Sequence, residues 1–452
     1  MKRTADLIVC VLFCALFLFG TAGCETEIKL PDHLAGTEGK ALEIGMWVGV
    51  PGAIGGNTVS DEEFLGFYRD IKESGINIAH PGLGWHSGTY ILRALNAAKE
   101  VGIKQLIQDL GLNNLLLDRT KTDEQILSQA SEMTAYYKDH EAFYGNLVWD
   151  EPQFGDFDLL ARAYRLYQRI MPGKLFHVNL LPAISGVSVL GAKYEDYISA
   201  YAEKVGTPYI SYDHYPLTAD GFGNTQTDET FLYNMEVVRS SAGSGTELWT
   251  FLQSIAYGAN HRGPKSKGDI GWQAYSFLAY GGKCIQWFCY WSPGFDGATN
   301  FGEGMIGRNG KRTPVYDYVK AVNLEMRAFE QIYLDFNWQG VMPVVGVDNP
   351  KGYNPAFEYL ESPLKTHPRI KGVKASEDII IGAFENGADN AFVIVNYADP
   401  GTNKKSNIEI DFNGAKSAVI YREGEQSGVR LKDGKFSAEL DSGEGIFLIP
   451  LK

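Results

Sequence analysis

The sequence predicts an α/β fold: a (β/α)8 TIM barrel over residues 41–338, followed by a small C-terminal antiparallel β-sandwich over residues 339–452. Apolar runs and helical segments alternate eight times between residues 44 and 335, as in a closed parallel barrel. After about residue 340, helical periods give way to short alternating strands separated by turns such as Asn386-Gly387. No glycine-rich phosphate turn follows the first strand, which disfavours an open doubly wound sheet.

Each predicted barrel strand is an apolar run that ends near a proline, a glycine or a polar residue. These strands are residues 44–50, 76–80, 103–109, 144–152, 175–181, 209–216, 247–253 and 283–291. The first predicted helix begins at Ser60, and Glu63 completes a capping box. The predicted helices are residues 60–75, 89–102, 122–139, 157–171, 194–205, 229–241, 269–280 and 314–334.

The amino terminus resembles a bacterial lipoprotein signal. Lys2 and Arg3 precede an apolar run over residues 7–19, which is too short for a comfortable membrane span. Small residues then lead to Cys24. We expect residues 1–23 to be removed, Cys24 to be lipidated and residues 24–40 to form a tether. The protein would be exported and lipid-anchored to a bacterial membrane, at the cell surface or on the periplasmic side. Ordinary secretion with a chance cysteine is the alternative.

The composition of the chain limits the classes of ligand that the protein is expected to bind. The formal net charge is −14, which disfavours a nucleic-acid partner because phosphate binding needs basic patches. Aromatic residues make up 13% of the chain, and aromatic side chains suit stacking on the apolar faces of sugar rings. Beyond the signal and Cys24, only Cys284 and Cys289 remain. Their spacing points them to opposite faces of one strand, so a disulfide is not expected.

Polar and aromatic side chains recur where the predicted strands end. All carboxyl ends of barrel strands meet on one face, so these groups should line one cavity. The candidates for contact with a ligand are His80, Asp109, Asp150, Glu151, Asn179, Asp213, His214, Gln253, Tyr290 and Trp291, with Trp287 as a stacking platform.

Several kinds of site are disfavoured. The first strand lacks a His-x-His pair, and His80, His177 and His214 stand alone, so no metal is expected. Neither a Gly-x-Ser-x-Gly elbow nor a phosphate-binding glycine loop is evident, and no cofactor is expected. Carboxylates with aromatic residues favour hydrolysis of glycosidic bonds or sugar binding. The expected partner is therefore an oligo- or polysaccharide.

Asp150-Glu151-Pro152 ends the fourth strand with two acids and a residue that cannot donate to a ladder. Together with the eight units and the Trp-rich eighth strand, this motif resembles the clan of (β/α)8 glycoside hydrolases. Residues 273–291 and 304–316 resemble the corresponding segments of family 42-type β-galactosidases and their uncharacterised gut-bacterial relatives. The resemblance implies that Glu151 is the general acid/base. Clan members usually carry Asn where this chain has Asp150.

The second carboxylate departs from that pattern. The resemblance implies a glutamate nucleophile at the end of the seventh strand, but here that strand ends in Phe251-Leu-Gln253. Asp213 is the preferred candidate because, like Glu151, it follows an apolar strand and precedes a proline. Glu247 and Glu303 are the alternatives. A non-catalytic glycan-binding lipoprotein on a hydrolase-like barrel is the competing hypothesis for the function.

Overall fold

Eight parallel strands close into a barrel in which each strand pairs with its neighbours in the chain, and the last pairs with the first. The computed structural model describes residues 28–243, 245–294 and 299–452. The predicted signal, Cys24 and the start of the tether lie outside these ranges. Within them, no helix combines the length and the apolar character needed to cross a membrane. The barrel strands are β1 Glu43–Trp47, β2 Ile78–Ala79, β3 Lys104–Ile107, β4 Phe143–Asp150, β5 Leu175–Leu180, β6 Tyr209–Asp213, β7 Glu247–Gln253 and β8 Cys284–Phe288.

Helices surround the barrel and alternate with its strands, which confirms the predicted fold class. They are α1 Asp61–Glu73, α2 Gly88–Val101, α3 Leu110–Leu116, α4 Asp123–Thr134, α5 Phe157–Ile170, α6 Val187–Leu190, α7 Tyr194–Lys204, α8 Phe231–Ser241, α9 Lys267–Ala279, α10 Pro314–Arg327 and α11 Glu330–Tyr333. A short helix, α12 Pro355–Glu358, belongs to the carboxyl-terminal region. The predicted capping box is present at α1, where Glu63 N donates to Ser60 Oγ at 3.3 Å and Ser60 N donates to Glu63 Oε2 at 2.9 Å.

The carboxyl-terminal strands form two antiparallel sheets. The first contains six strands in the order β9-β11-β12-β17-β14-β15, and the second contains three in the order β10-β13-β16. The first strand of this region begins at Asn337, just before the predicted boundary at residue 338. Their bounds are β9 Asn337–Val344, β10 Ile370–Ala375, β11 Ile379–Asn386, β12 Asp389–Asn396, β13 Ser406–Phe412, β14 Ser417–Arg422, β15 Glu425–Arg430, β16 Lys435–Leu440 and β17 Gly445–Leu451.

The hydrophobic core continues from the barrel into the sandwich. One cluster includes barrel helices and also Val393, Phe447 and Ile449 of the large sheet, while a second cluster fills the space between the two sheets. A third, which includes Tyr209, Trp249 and Cys284, lies near the amino-terminal ends of β6 to β8. The amino-terminal ends of β6 to β8 are therefore tied together by packing, and the carboxyl-terminal ends are where a barrel usually carries its site.

Candidate functional site

A hollow of about 420 Å³ opens at the carboxyl-terminal end of the barrel strands. Its volume falls within the range of about 300–1,000 Å³ that is usual for small-molecule sites. Five of the predicted site residues line it together: His80, Asp150, Glu151, Asn179 and Asp213. The other residues that line it are Trp47, Leu147, Tyr215, Phe251, Tyr257, Phe288, Thr299 and Phe301.

A β-bulge in β4 turns the acids toward the hollow. The register against β5 shifts between Leu147 and Trp149, which leaves Val148 as an extra residue. Without the bulge, alternation from Leu147 would place Trp149 inside and Asp150 outside. Instead Val148 and Trp149 pack in the core around the barrel, and Leu147 and Asp150 line the hollow.

Glu151 leaves the strand in an unusual backbone conformation. Its φ is 55°, in the left-handed region that residues other than glycine and asparagine rarely adopt. Glu151 N donates to Asn179 O at 2.9 Å, so pairing with β5 continues to this residue, and buried Pro152 ends the strand. Such strain persists where the surroundings impose it, and it clusters at functional sites.

A chain of hydrogen bonds inside the barrel holds Asp213. Gln286 Nε2 donates to Ser211 Oγ at 3.0 Å, and Ser211 Oγ donates to Asn179 Oδ1 at 2.9 Å. Asn179 Nδ2 then donates to Asp213 Oδ1 at 3.1 Å. Because the amide orientation is fixed by Ser211, Asn179 presents its N–H to the carboxylate, and this bond favours the charged form of Asp213.

The three acids share one environment, and all hold protons more tightly than isolated carboxyl groups. Burial and the Glu151 charge raise the pKa of Asp150 to about 7, although hydrogen bonding from Asn179 opposes the rise. Both Asp150 and Glu151 are open to solvent on one side. Protein on the other sides raises the pKa of Glu151 as well. The pKa of Asp213 is well above its usual range because the side chain is buried and faces the Glu151 and Asp150 charges. The cluster therefore keeps at least one proton near neutral pH.

His80 lies at the floor of the hollow with both ring nitrogens unpaired among the described residues. Burial lowers its pKa well below the ordinary value, and neighbouring His177 adds to the effect. The two rings meet edge-on with centroids 5.3 Å apart. Because both nitrogens are inaccessible to solvent, the neutral imidazole shapes the hollow and is not placed to contact a ligand.

Aromatic side chains that sequence reasoning missed form much of the wall. Tyr215 stacks on Phe288 with ring centroids 5.2 Å apart, and it meets Tyr257 edge-on at 5.5 Å. Trp47 packs against Phe288 at 5.8 Å. Alternation could have found two of them, since Tyr215 lies two residues beyond Asp213 and Phe288 ends a strand whose inward residues include Gln286. Tyr257 and Phe301 come from loops, which carry no such signal.

The seventh strand contributes an aromatic ring at the level of Asp213. Phe251 pairs with Asp213 in the register of β6 and β7, and it lines the hollow. Glu247 begins β7, is exposed, and accepts from Trp249 Nε1 at 3.0 Å. It therefore lies at the opposite end of the barrel, which corrects its placement as an alternative second carboxylate. Glu303 is exposed in the loop after β8 and does not line the hollow.

Three other predicted ligand contacts are structural instead. Asp109 caps α3, where Oδ1 accepts from Leu112 N at 3.1 Å. His214 follows Asp213 and so faces outward, where its Nδ1 lies 3.2 Å from Asn234 Oδ1. Gln253 is fully buried and braces loops, since its amide donates to Arg262 O at 2.8 Å. None of the three lines the hollow.

The predicted aromatic contacts of the eighth strand are also corrected. Trp287 faces outward and donates from Nε1 to Asn323 Oδ1 on α10 at 3.0 Å. The strand ends at Phe288, so Tyr290 and Trp291 lie beyond it and pack on α1. Tyr290 Oη donates to Phe67 O at 3.2 Å, and Trp291 meets the Phe67 ring edge-on at 5.1 Å.

Among the described residues, no group of three or more His, Cys, Asp or Glu side chains has the arrangement of a metal site. Protein-family models give no match to the sequence, and curated proteins give none either.

Solved structures of glycoside hydrolases share the fold. A family 5 glycoside hydrolase from Bacteroides vulgatus superposes with a TM-score of 0.52 at 11% identity, over 87% of this chain and 86% of that one. An α-amylase from Anoxybacillus gives a TM-score of 0.50 at 10% identity, over 91% of this chain and 98% of that one. A β-galactosidase from Marinomonas ef1 gives 0.44 at 9% identity, over 60% of this chain, which spans 58% of that protein. At such identities the likeness to the family 5 hydrolase and to the α-amylase shows the fold alone.

Proposed function

We propose that this protein is a glycoside hydrolase that cleaves O-glycosidic bonds in an oligo- or polysaccharide with a pair of carboxyl groups. The observation that carries the proposal is the set of three acids, from β4 and β6, that face one aromatic-lined hollow. Aromatic faces bind sugar rings, and paired carboxyl groups supply the proton transfer and the nucleophile or base that hydrolysis needs. The solved hydrolases with this fold support the proposal.

In the proposed mechanism, Glu151 donates a proton to the leaving glycosidic oxygen. Its side chain is open to the hollow, and its pKa is raised, so it retains a proton closer to neutral pH than a free glutamate does. Asp213 acts as the nucleophile or as the base that activates water. This role requires the ionised form of Asp213, which the N–H of Asn179 favours. Burial and the charges of Glu151 and Asp150 oppose it and raise the pKa of Asp213, so Asp213 must lose its proton before it can act. Asp150 lies beside Glu151, and the Glu151 charge raises the pKa of Asp150, so the two acids disfavour each other's ionisation.

Removal of the proton donor tests this function. In Glu151→Gln, we expect kcat on the best substrate from a panel of aryl glycosides and plant and host oligosaccharides to fall by roughly 10²–10⁴-fold. Glu247→Gln is the matched control, because Glu247 lies at the other end of the barrel, and it should keep wild-type turnover. Near wild-type turnover of Glu151→Gln would overturn the role of Glu151.

The same panel tests the competing hypothesis. A glycan-binding protein would retain oligosaccharides without generating new reducing ends. Phe251, where the family resemblance leads one to expect a carboxylate, is the feature that favours this alternative. Binding by the wild type without any product would therefore replace the hydrolase proposal by the binding one.

The predicted lipid anchor at Cys24 belongs to the same proposal about biological role. An exported, membrane-anchored hydrolase would meet polysaccharide outside the cytoplasm. Metabolic labelling with a fatty-acid analogue tests it, with Cys24→Ala as the variant that should lose the label.

A further inference from the structure

A second cavity lies where the barrel meets the sandwich. It measures about 620 Å³, and we name it the junction groove. Its barrel side is a hairpin that follows β6, with strands Leu217–Ala219 and Thr225–Thr227. Its sandwich side comes from residues 349–359 and from the loops around residues 377 and 397–404. None of the residues that line the hollow lines this groove.

Tyr397 forms part of the buried base of the groove. The residue is 3% exposed and lines the groove, but its hydroxyl has no partner among the described residues. Its ring stacks on Trp272 of α9, with centroids 4.8 Å apart, and packs against Phe357 at 5.6 Å. These contacts hold the ring in place. Because the hydroxyl oxygen is itself buried, Tyr397 supplies a rigid base for the groove and not a hydrogen bond to a ligand.

Two tyrosines of the sandwich side are open to solvent. Tyr353 is 48% exposed and Tyr359 is 47% exposed, and both line the groove. The segment that carries Tyr353 is fixed by buried Asp378, which accepts from Asn349 Nδ2 at 2.8 Å and from Asn354 Nδ2 at 2.9 Å. Exposed aromatic faces on a braced segment suit a ligand that has flat apolar surfaces and hydroxyl groups, as sugars have.

The groove carries more negative than positive side chains, which bears on the charge of the sugars that it can bind. Its lysines are Lys351 and Lys404, and Lys404 is already paired with Glu377, 3.0 Å from Oε2. The carboxylates around it are Asp228, Glu229, Glu377, Asp378 and Asp399. Because the negative groups outnumber the positive ones, anionic sugars such as uronates or sulfated glycans are disfavoured.

We propose that the junction groove binds a neutral oligosaccharide and is a second, non-catalytic glycan site. This binding does not depend on hydrolysis at the hollow. The groove and the hollow are connected through His261. Thr218 of the hairpin pairs with His261, and the His261 ring stacks on Tyr257 of the hollow with ring centroids 4.1 Å apart. A long neutral polysaccharide held in the groove would thereby lie close to the mouth of the barrel.

Affinity electrophoresis of the full chain tests the proposal. The gels contain galactomannan, xyloglucan or mixed-linkage β-glucan as neutral probes, and polygalacturonate as the anionic probe. We expect retardation by at least one neutral polysaccharide and none by polygalacturonate. Tyr353→Ala and Tyr359→Ala should each weaken that retention by roughly 3- to 10-fold, because each removes an exposed aromatic ring that lines the groove.

Two controls separate the groove from other surfaces. Phe222→Ala removes a side chain that is 94% exposed at the hairpin tip but does not line the groove, and it should keep full retention. Trp47→Ala changes the hollow, so a loss of retention in this variant reports binding at the hollow and not at the groove. No retardation of the wild type by any neutral probe would overturn the proposal. The proposal would also be overturned if both groove variants kept the retention of the wild type. The same holds if only Trp47→Ala lost retention. Hydrolysis assays report on the hollow separately, so the two proposals can fail independently.

Discussion

At the scale of single residues, neighbouring acids with different surroundings determine the chemistry of the hollow. Asp213 is only 6% exposed and is held by Asn179, whereas Asp150 and Glu151 are open to the hollow. Like charges held this close cannot all ionise at neutral pH. The hollow therefore has a pH dependence of its own, for stability as well as for activity.

Stability should fall as Asp150 ionises. Its pKa is about 7 in the folded protein against 3.8 for an ordinary aspartate. The folded state therefore binds more protons than the unfolded state between these values, so stability falls as pH rises from about 4 and the loss is complete above about 7. Asp150→Asn removes this penalty, so the variant should gain melting temperature relative to wild type at pH 8 and much less at pH 5.

Asp220→Asn is the control, and its expected effect on the melting temperature at pH 8 is opposite in sign. Hydrogen bonds from Asn224 and the backbone lower the pKa of Asp220, so its contribution to stability is present at neutral pH and is lost in acid. Asp220→Asn should therefore lower the melting temperature at pH 8. An Asp150→Asn variant whose gain is the same at both pH values would contradict the raised pKa.

At the scale of elements, strand register and one bulge decide which side chains reach the hollow. Alternation along β8 sends Trp287 to the helices and Phe288 to the hollow. The bulge in β4 reverses alternation after Leu147, so Asp150 rather than Trp149 faces inward. The end of β8 at Phe288 is not marked by a distinct sequence pattern, which is why Tyr290 and Trp291 were expected in the hollow, and no sequence pattern marks the bulge in β4 either.

Substitutions at adjacent positions test the register of β8. Trp287→Phe breaks the bond to buried Asn323, and we expect a loss of about 1–3 kcal/mol in the free energy of unfolding with little change in KM. Phe288→Leu removes an aromatic face from the hollow and should raise KM by up to about tenfold. Chemical denaturation and steady-state kinetics measure the two effects, and an exchange of the two phenotypes would mean that the register is wrong.

At the scale of the whole molecule, helix α9 joins the barrel to the sandwich. Trp272 of this helix stacks on Tyr397 of the sandwich, and a Cβ on Gly445 of β17 would lie 2.1 Å from the Tyr275 ring. The backbone of the large sheet therefore lies directly on the helix. With a core cluster that spans both parts, we expect the described parts of the barrel and sandwich to unfold in one transition.

Gly445→Ala tests this junction. The added methyl group has no space against Tyr275, so we expect a loss of about 1–3 kcal/mol and a lower melting temperature for the single transition. Gly372→Ala on β10 is the matched control, since a Cβ there meets nothing within 4 Å, and it should be nearly neutral. Two separate calorimetric transitions in Gly445→Ala would show that the sandwich unfolds independently of the barrel.

The sequence by itself determined the barrel, the sandwich and five of the side chains in the hollow. Hydrophobic periodicity and proline or glycine stops depend on local chemistry, and these mark strands, helices and the acids at Asp150, Glu151 and Asp213. Only the tertiary structure decided which strand-end side chains converge. In the structure, Glu247 lies at the far end of the barrel and Trp287 faces outward. Tyr257 and Phe301 reach the hollow from loops. The physical reason is that convergence depends on register, bulges and loop paths, which are set by packing between residues far apart in the chain.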